Sequence, residues 1–144
     1  MGKVYYFYRM DKNYIAGFFD ADGYVTLTKN AKNEERTAVV GFTNNELSIL
    51  QEIEDVLLAK LGVKGKIVKK SARKPSHQDA YDLKYHGLAA SISVLNYLPF
   101  VHPKKMKRLD ILKLIKELTP RNGKYSPELL KCRRAICEEF LKTR

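Results

Sequence analysis

The sequence predicts an α+β fold, an αββαββα core with one antiparallel sheet and extra helices at its C-terminal end. Three observations predict it. Two pairs of short segments alternate apolar and polar residues with the period of two that a half-buried strand requires. A long amphipathic run separates the pairs. Proline and glycine punctuate the remaining helical segments at their starts and ends. At 144 residues the chain, residues 1–144, reads as a single domain with a genuine core.

The first element is "KNYIAGFFDA", a short helix with Asp11 or Asn13 near its start as a cap, broken by Gly23. "YVTLTKN" follows as a strand with Val25 and Leu27 on one face and Tyr24, Thr26, Thr28 and Asn30 on the other. After the polar turn "AKNEE", "RTAVVGFT" is a second strand with Ala38, Val40 and Phe42 inward, which completes a hairpin. "NNELSILQEIEDVLLAKLG" carries Leu47, Leu50, Ile53, Val56 or Leu57, and Leu61 at helical spacing. Asn44 or Asn45 can cap this helix, and Gly62 ends it. "VKGKIVKK" and "DAYDLKYH" are two more strands joined by the basic loop "SARKPSHQ". "GLAASISVLNYLPF" is a helix, and "HPKKMKRLDILKLIKELTP" is another with Pro103 in its first turn. In "SPELLKCRRAICEEFLKT", Ser126 caps the helix, Pro127 takes the first position and Glu128 adds favourable charge.

The chain holds 27 Lys and Arg against 16 Asp and Glu, a net +11. The excess is uneven: residues 1–60 carry 7 basic and 9 acidic side chains, and residues 61–144 carry 20 and 7. A basic surface of this size seeks a polyanion, and nucleic acid is the first candidate. No apolar run approaches the ~18 residues of a membrane helix, which argues against a membrane partner. The start, "MGKVYYFYRMDK", lacks a basic region followed by an apolar one. The expectation is therefore an intracellular protein of the cytoplasm, nucleoid or an organelle, not a secreted one. Cys132 and Cys137 lie five apart on one helix and face different ways, so they read as two free thiols rather than a metal site.

"YIAGFFDADGY" occurs once, without a second copy in the chain. Gly17 and Ala21 are four apart on one helix face, where small residues let two backbones come close. On spacing alone, burial against the chain's own core would account for them. Asp20 and Asp22 stand roughly 200° apart around a helix and cannot grip one cation together. One should brace the fold, and the other emerges at the C-terminal end beside free carbonyls and a glycine. A hard cation such as Mg²⁺ takes oxygen ligands. One carboxylate and one carbonyl supply half a site, and a close-packed copy of the helix would supply the other half. No calcium-loop continuation follows, because a strand begins at once.

The stretch from Ile15 to Gly23, IAGFFDADG, resembles the nine-letter motif of the LAGLIDADG homing endonucleases. Six of its nine letters are identical and the other three are apolar for apolar. The αββαββα order is that family's core as well. The resemblance implies a single-motif homodimer that cuts both strands of a long, pseudo-palindromic duplex DNA target. Motif helices would pack at the centre through Tyr14, Gly17 and Ala21, and the sheets would form DNA-binding saddles. It implies Asp22 as the metal ligand, joined by the peptide carbonyl of Ala21, with Mg²⁺ as cofactor and Mn²⁺ or Ca²⁺ as alternative occupants. Asp20 would be mainly structural. The family's Gln or Asn near active-site water falls at Asn44, with Asn45 as the neighbouring possibility and helix capping as the ordinary reading. Its basic active-site residue falls at Lys104, with Lys105 close behind and a solvated first-turn lysine as the ordinary reading. A further active-site cation seen in some members falls near Ser48, a departure that leaves that role unassigned.

Phosphodiester hydrolysis needs an activated water, relief of phosphate charge and help for the departing 3′ oxygen, all of which two-metal chemistry supplies. No histidine base is required. His77, His86 and His102 read as loop or junction residues, and His102 is singled out only for its place beside the basic cluster. A β-ribbon fits the major groove. The first hairpin offers Thr26, Thr28, Asn30, Lys32, Arg36 and Thr37 for readout, and the second offers Lys66, Lys70, Arg73, Gln78, Asp82 and Lys84. The rival readings are an RNA-binding intron maturase of the same fold and a basic nucleic-acid-binding protein without catalysis.

Overall fold

The computed structural model describes residues 10–29, 36–70, 79–120 and 124–143. Their elements run α1 (Lys12–Asp22), β1 (Gly23–Lys29), β2 (Arg36–Asn44), α2 (Leu47–Leu61), β3 (Lys66–Lys70), β4 (Ala80–His86), α3 (Leu88–Tyr97), α4 (Pro103–Glu117) and α5 (Pro127–Leu141). This is the αββαββα order followed by two helices. No helix among the described residues is long and apolar enough to cross a membrane.

The sheet is antiparallel throughout, with strand order β1-β2-β4-β3. Register pairs Val25 with Val40, Leu27 with Ala38 and Phe42 with Leu83. These side chains join Ile15 and Phe19 of α1, Leu50, Ile53 and Leu57 of α2, Val94 and Leu95 of α3, and Leu112 of α4 in one core. Its centre is aromatic. Phe19 meets Phe42 at 5.5 Å and Phe100 at 5.3 Å between ring centroids, and Phe42 meets Tyr85 at 6.4 Å.

Among the described residues, no helix packs on the opposite face of the sheet. Alternation places Tyr24, Thr26, Thr28, Thr37, Gly41, Thr43, Lys66, Lys70, Asp82 and Lys84 there. Val39 and Gly41 are nevertheless buried, and the Tyr24 ring lies against Gly41. A Cβ on Gly41 would stand 2.1 Å from Tyr24 Cζ, so only glycine lets the ring lie flat.

Caps fix the helix starts. Asp11 accepts from the Tyr14 N–H at 2.9 Å, which makes Asp11 rather than Asn13 the cap of α1. Ser126 accepts from the Leu129 N–H at 3.1 Å ahead of Pro127. The N-cap position of α2, expected at Asn44 or Asn45, is taken by Glu46, whose own side chain makes no cap bond. Asn44 still belongs to β2, so its Oδ1 reaches only two residues on, to the Glu46 N–H at 2.8 Å.

Two arginines tie the C-terminal helices to the first hairpin. Arg108 on α4 donates to the Val25 carbonyl at 2.7 Å and to the Thr143 hydroxyl at 2.9 Å. Arg133 on α5, buried, donates to the Arg36 carbonyl at 3.2 Å and lies over the Tyr125 ring.

Candidate nucleic-acid interface and acidic centre

The IAGFFDADG stretch divides by helix face. Ile15, Ala16 and Phe19 enter the core, while Tyr14, Gly17 and Ala21 are exposed, Tyr14 at 48%. The ordinary reading of Gly17 and Ala21 as inward packing residues does not hold. A Cβ added to Gly17 would meet nothing within 4 Å, so the chain's own packing does not require glycine there. Gly23 has the opposite character: a Cβ there would lie 2.2 Å from Phe19 Cδ1. Its backbone must pass close to the aromatic core as helix turns into strand.

The two carboxylates part as their spacing requires. Asp20 turns back and accepts from the Val101 N–H at 3.1 Å and the His102 N–H at 3.0 Å. These amides precede α4, so Asp20 braces its N-terminus across 80 residues of chain. Asp22 is exposed at the C-terminal end of α1.

The lysine brought to this tip is Lys105. Its Nζ donates to the carbonyls of Phe19 at 2.6 Å and Asp20 at 3.0 Å, and it lies 4.9 Å from the Phe19 ring centroid. Burial pushes its pKa down, with Arg108 adding to the effect, while Asp20 and Asp22 oppose it. Lys104, the residue placed here by sequence position, is exposed. The discriminating signal was legible: Lys105, Leu109 and Leu112 follow i, i+4, i+7 and share the inward stripe of α4, with Leu109 and Leu112 buried. Asn44 stands two residues beyond Phe42, the register partner of Gly23, with its Oδ1 engaged in the turn to α2. His102 takes the N-cap position of α4 through its backbone, and His86 is exposed at the end of β4.

On the open face, Thr26, Thr28 and Thr37 share one side of the first hairpin, and the Thr28 hydroxyl donates to the Thr37 carbonyl at 3.2 Å. Lys66, Lys70 and Lys84 share the same side of the second. Two expected readers differ. Arg36 has the parity of Ala38 and Val40, and its guanidinium donates to the Leu27 carbonyl at 3.2 Å. It therefore braces the hairpin rather than sharing Thr37's face. Asp82 faces the right way but is only 1% exposed. Its carboxylate accepts from the Thr43 hydroxyl at 2.7 Å and the Tyr24 hydroxyl at 3.3 Å, and pairs with Lys70 Nζ at 2.8 Å. Burial would push the Asp82 carboxyl up, but the hydrogen bonds from Lys70 and Thr43 and the charges of Lys70 and Lys84 hold it below the ordinary carboxylate range. Burial and the adjacent Asp82 raise the Tyr24 phenol, which stays protonated and able to donate. Sequence alternation found the face of Tyr24 and Asp82 but not their contact, which crosses β2 above Gly41. Asn30, Lys32, Arg73 and Gln78 lie outside the described residues.

An αββαββα unit with an acid-tipped first helix, an exposed small-residue face on that helix and a sheet face left without a helix among the described residues defines a domain class. The family model of a LAGLIDADG-like domain matches residues 9–96, more than half of the chain. The chain belongs to that family. Among solved structures it is similar to the homing endonuclease I-CvuI in complex with the I-CreI target, at 17% identity and TM-score 0.68, covering 91% of this chain and 80% of that one. It is also similar to I-AabMI bound to uncleaved DNA, at 15% identity and TM-score 0.63, covering 89% and 44%. A third similar structure is I-GzeII with its DNA target, at 16% identity and TM-score 0.62, covering 94% and 44%. The chain thus spans under half the length of the last two. I-CvuI crystal structures include one with 2 mM Mg and uncleaved DNA and one with 2 mM Ca. No curated protein sequence matches.

Proposed function

We propose that the chain is a site-specific homing endonuclease that acts inside the cell as a homodimer and makes a double-strand break in a long, pseudo-palindromic DNA target. The observation that carries this reading is the tip of α1. Asp22 is exposed there beside Lys105, on a helix whose Tyr14, Gly17 and Ala21 face is open to a twin. Family membership and DNA-bound relatives of the same fold support it.

The donors at the tip suit a hard divalent cation, with Mg²⁺ proposed and Mn²⁺ or Ca²⁺ as substitutes. Among the described residues no cluster of three or more His, Cys, Asp or Glu could hold a metal in one chain. This fits a shared site to which each chain gives the Asp22 carboxylate and the Ala21 carbonyl. A cation bound there would lower the pKa of its water and neutralise phosphate charge. The chain's own residues do the rest. Asp20 fixes the direction in which the tip points. Lys105 sets positive charge beside it and holds the last turn together through two carbonyls. Asn44 shapes the adjoining turn, and Lys104, exposed, is left for a phosphate. Thr26, Thr28, Thr37, Lys66 and Lys84 would meet the major groove, where phosphate contacts position the protein and base edges specify the site.

A cleavage selection on a randomised duplex library with Mg²⁺ tests the proposal. The expected result is double-strand cuts in one sequence class, abolished by Asp22→Asn with duplex binding retained. Cutting that survives Asp22→Asn overturns the assignment of Asp22. Binding of duplex or RNA with no cutting under Mg²⁺ or Mn²⁺ overturns the nuclease reading in favour of a maturase or a non-catalytic binder.

A further inference from the structure

Asp82 is the one acid among the described strand residues of the open face, whose other polar side chains are hydroxyls, lysines and His86 beside the apolar Val39, Val68 and Ala80. A carboxylate aimed at a polyanion is a liability unless it does something else. Here it is 1% exposed and gathers donors from three other strands: Tyr24 from β1, Thr43 from β2 and Lys70 from β3. Lys70 is 55% exposed on the same contact, so it could in principle swing to a passing phosphate. Doing so would leave a buried carboxylate without its ion-pair partner, which is strongly unfavourable. Lys70 is therefore committed inward by its partner's burial.

Resting on the proposed DNA-facing role of this surface, we propose that Asp82 is a specificity-determining positioning residue. It withholds Lys70 from indiscriminate phosphate contact and locks Tyr24 and Thr43 into a preset surface. Sequence-independent affinity is thereby reduced while readout by the neighbouring side chains is preserved.

The test uses the full-length wild type, Asp82→Asn, Lys70→Met and the double variant. Each is checked by thermal melting and titrated across a salt series. The probes are mixed-sequence duplex DNA and one duplex recovered by wild-type selection from a randomised library. Asp82→Asn is expected to steepen the log–log salt dependence on mixed-sequence DNA by about 0.9 per chain, the signature of one more neutralised phosphate. It should also shrink the preference for the selected duplex by roughly tenfold. Lys70→Met is expected to match the wild-type slope, and the double variant to return to it. A residue that merely supports folding would move melting and leave the slopes alone.

An unchanged slope in folded Asp82→Asn overturns the inference. So does a shallower slope in Lys70→Met, which would show Lys70 already gripping phosphate in the wild type. The Lys70→Met result decides the matter even where Asp82→Asn is poorly folded. Failure of the wild type to bind any duplex would instead remove the reading of the face on which the inference rests.

Discussion

At the residue scale, neighbours in sequence have opposite fates. Asp20 and Asp22 are two apart, yet one is spent on the amides before α4 and the other is exposed. Lys104 and Lys105 are adjacent, yet only Lys105 reaches the carbonyls of the α1 tip. Lys105→Met should therefore lower cleavage of a selected duplex by at least 10²-fold, while Lys104→Met should lower it by under tenfold, as a solvated phosphate contact would. Single-turnover rates at saturating protein measure both. Asp82 supplies a pH prediction. Its carboxyl lies below the ordinary range in the fold, so ionisation favours the folded state. That contribution is fully present above the unfolded pKa of about 3.9 and is lost as pH falls through the lower folded value. The melting gap between wild type and Asp82→Asn, on the order of 1–3 kcal/mol at neutral pH, should narrow in scans below about pH 4. These residue pairs also show where sequence reading stopped. Periodicity separates Lys105 from Lys104 once the stripe of α4 is followed, whereas the Tyr24–Asp82 contact depends on strand order, which no single strand encodes.

At the element scale, α1 has one face built into the core and one left open. The structure turns Gly17 and Ala21 to the open side, whereas spacing alone favoured burial against the chain's own core. Gly17→Leu should raise helix propensity and find room in the lone chain, since nothing lies within 4 Å of its added Cβ. It should block close approach of a second α1. Far-UV circular dichroism is expected to stay at the wild-type level while sedimentation shifts from dimer to monomer. Retention of the dimer would mean that another face mediates association. The hairpins and α2 were legible because their burial follows periods of 2 and 3.6. The start of α2 was not, because Asn44 belongs to the preceding strand and its side chain spends its reach on a turn.

At the scale of the whole molecule, the αββαββα order was readable, since each element carries its own pattern and its own punctuation. The ties made by Arg108 and Arg133 were not, because a backbone carbonyl leaves no mark on the sequence that receives it. If two chains share the α1 face, melting temperature should rise with protein concentration in the wild type, by the mass action that couples assembly to folding. It should be independent of concentration in Gly17→Leu. The sheet order also leaves β3 at an edge among the described strands, and that strand reads Lys-Ile-Val-Lys-Lys with all three lysines exposed. Unpaired edge amides invite strands from other molecules, and lysines are a common guard against it. These side chains therefore guard that edge against fibrillar self-templating. A neutralising scan of β3 would thus confuse lost recognition with lost solubility.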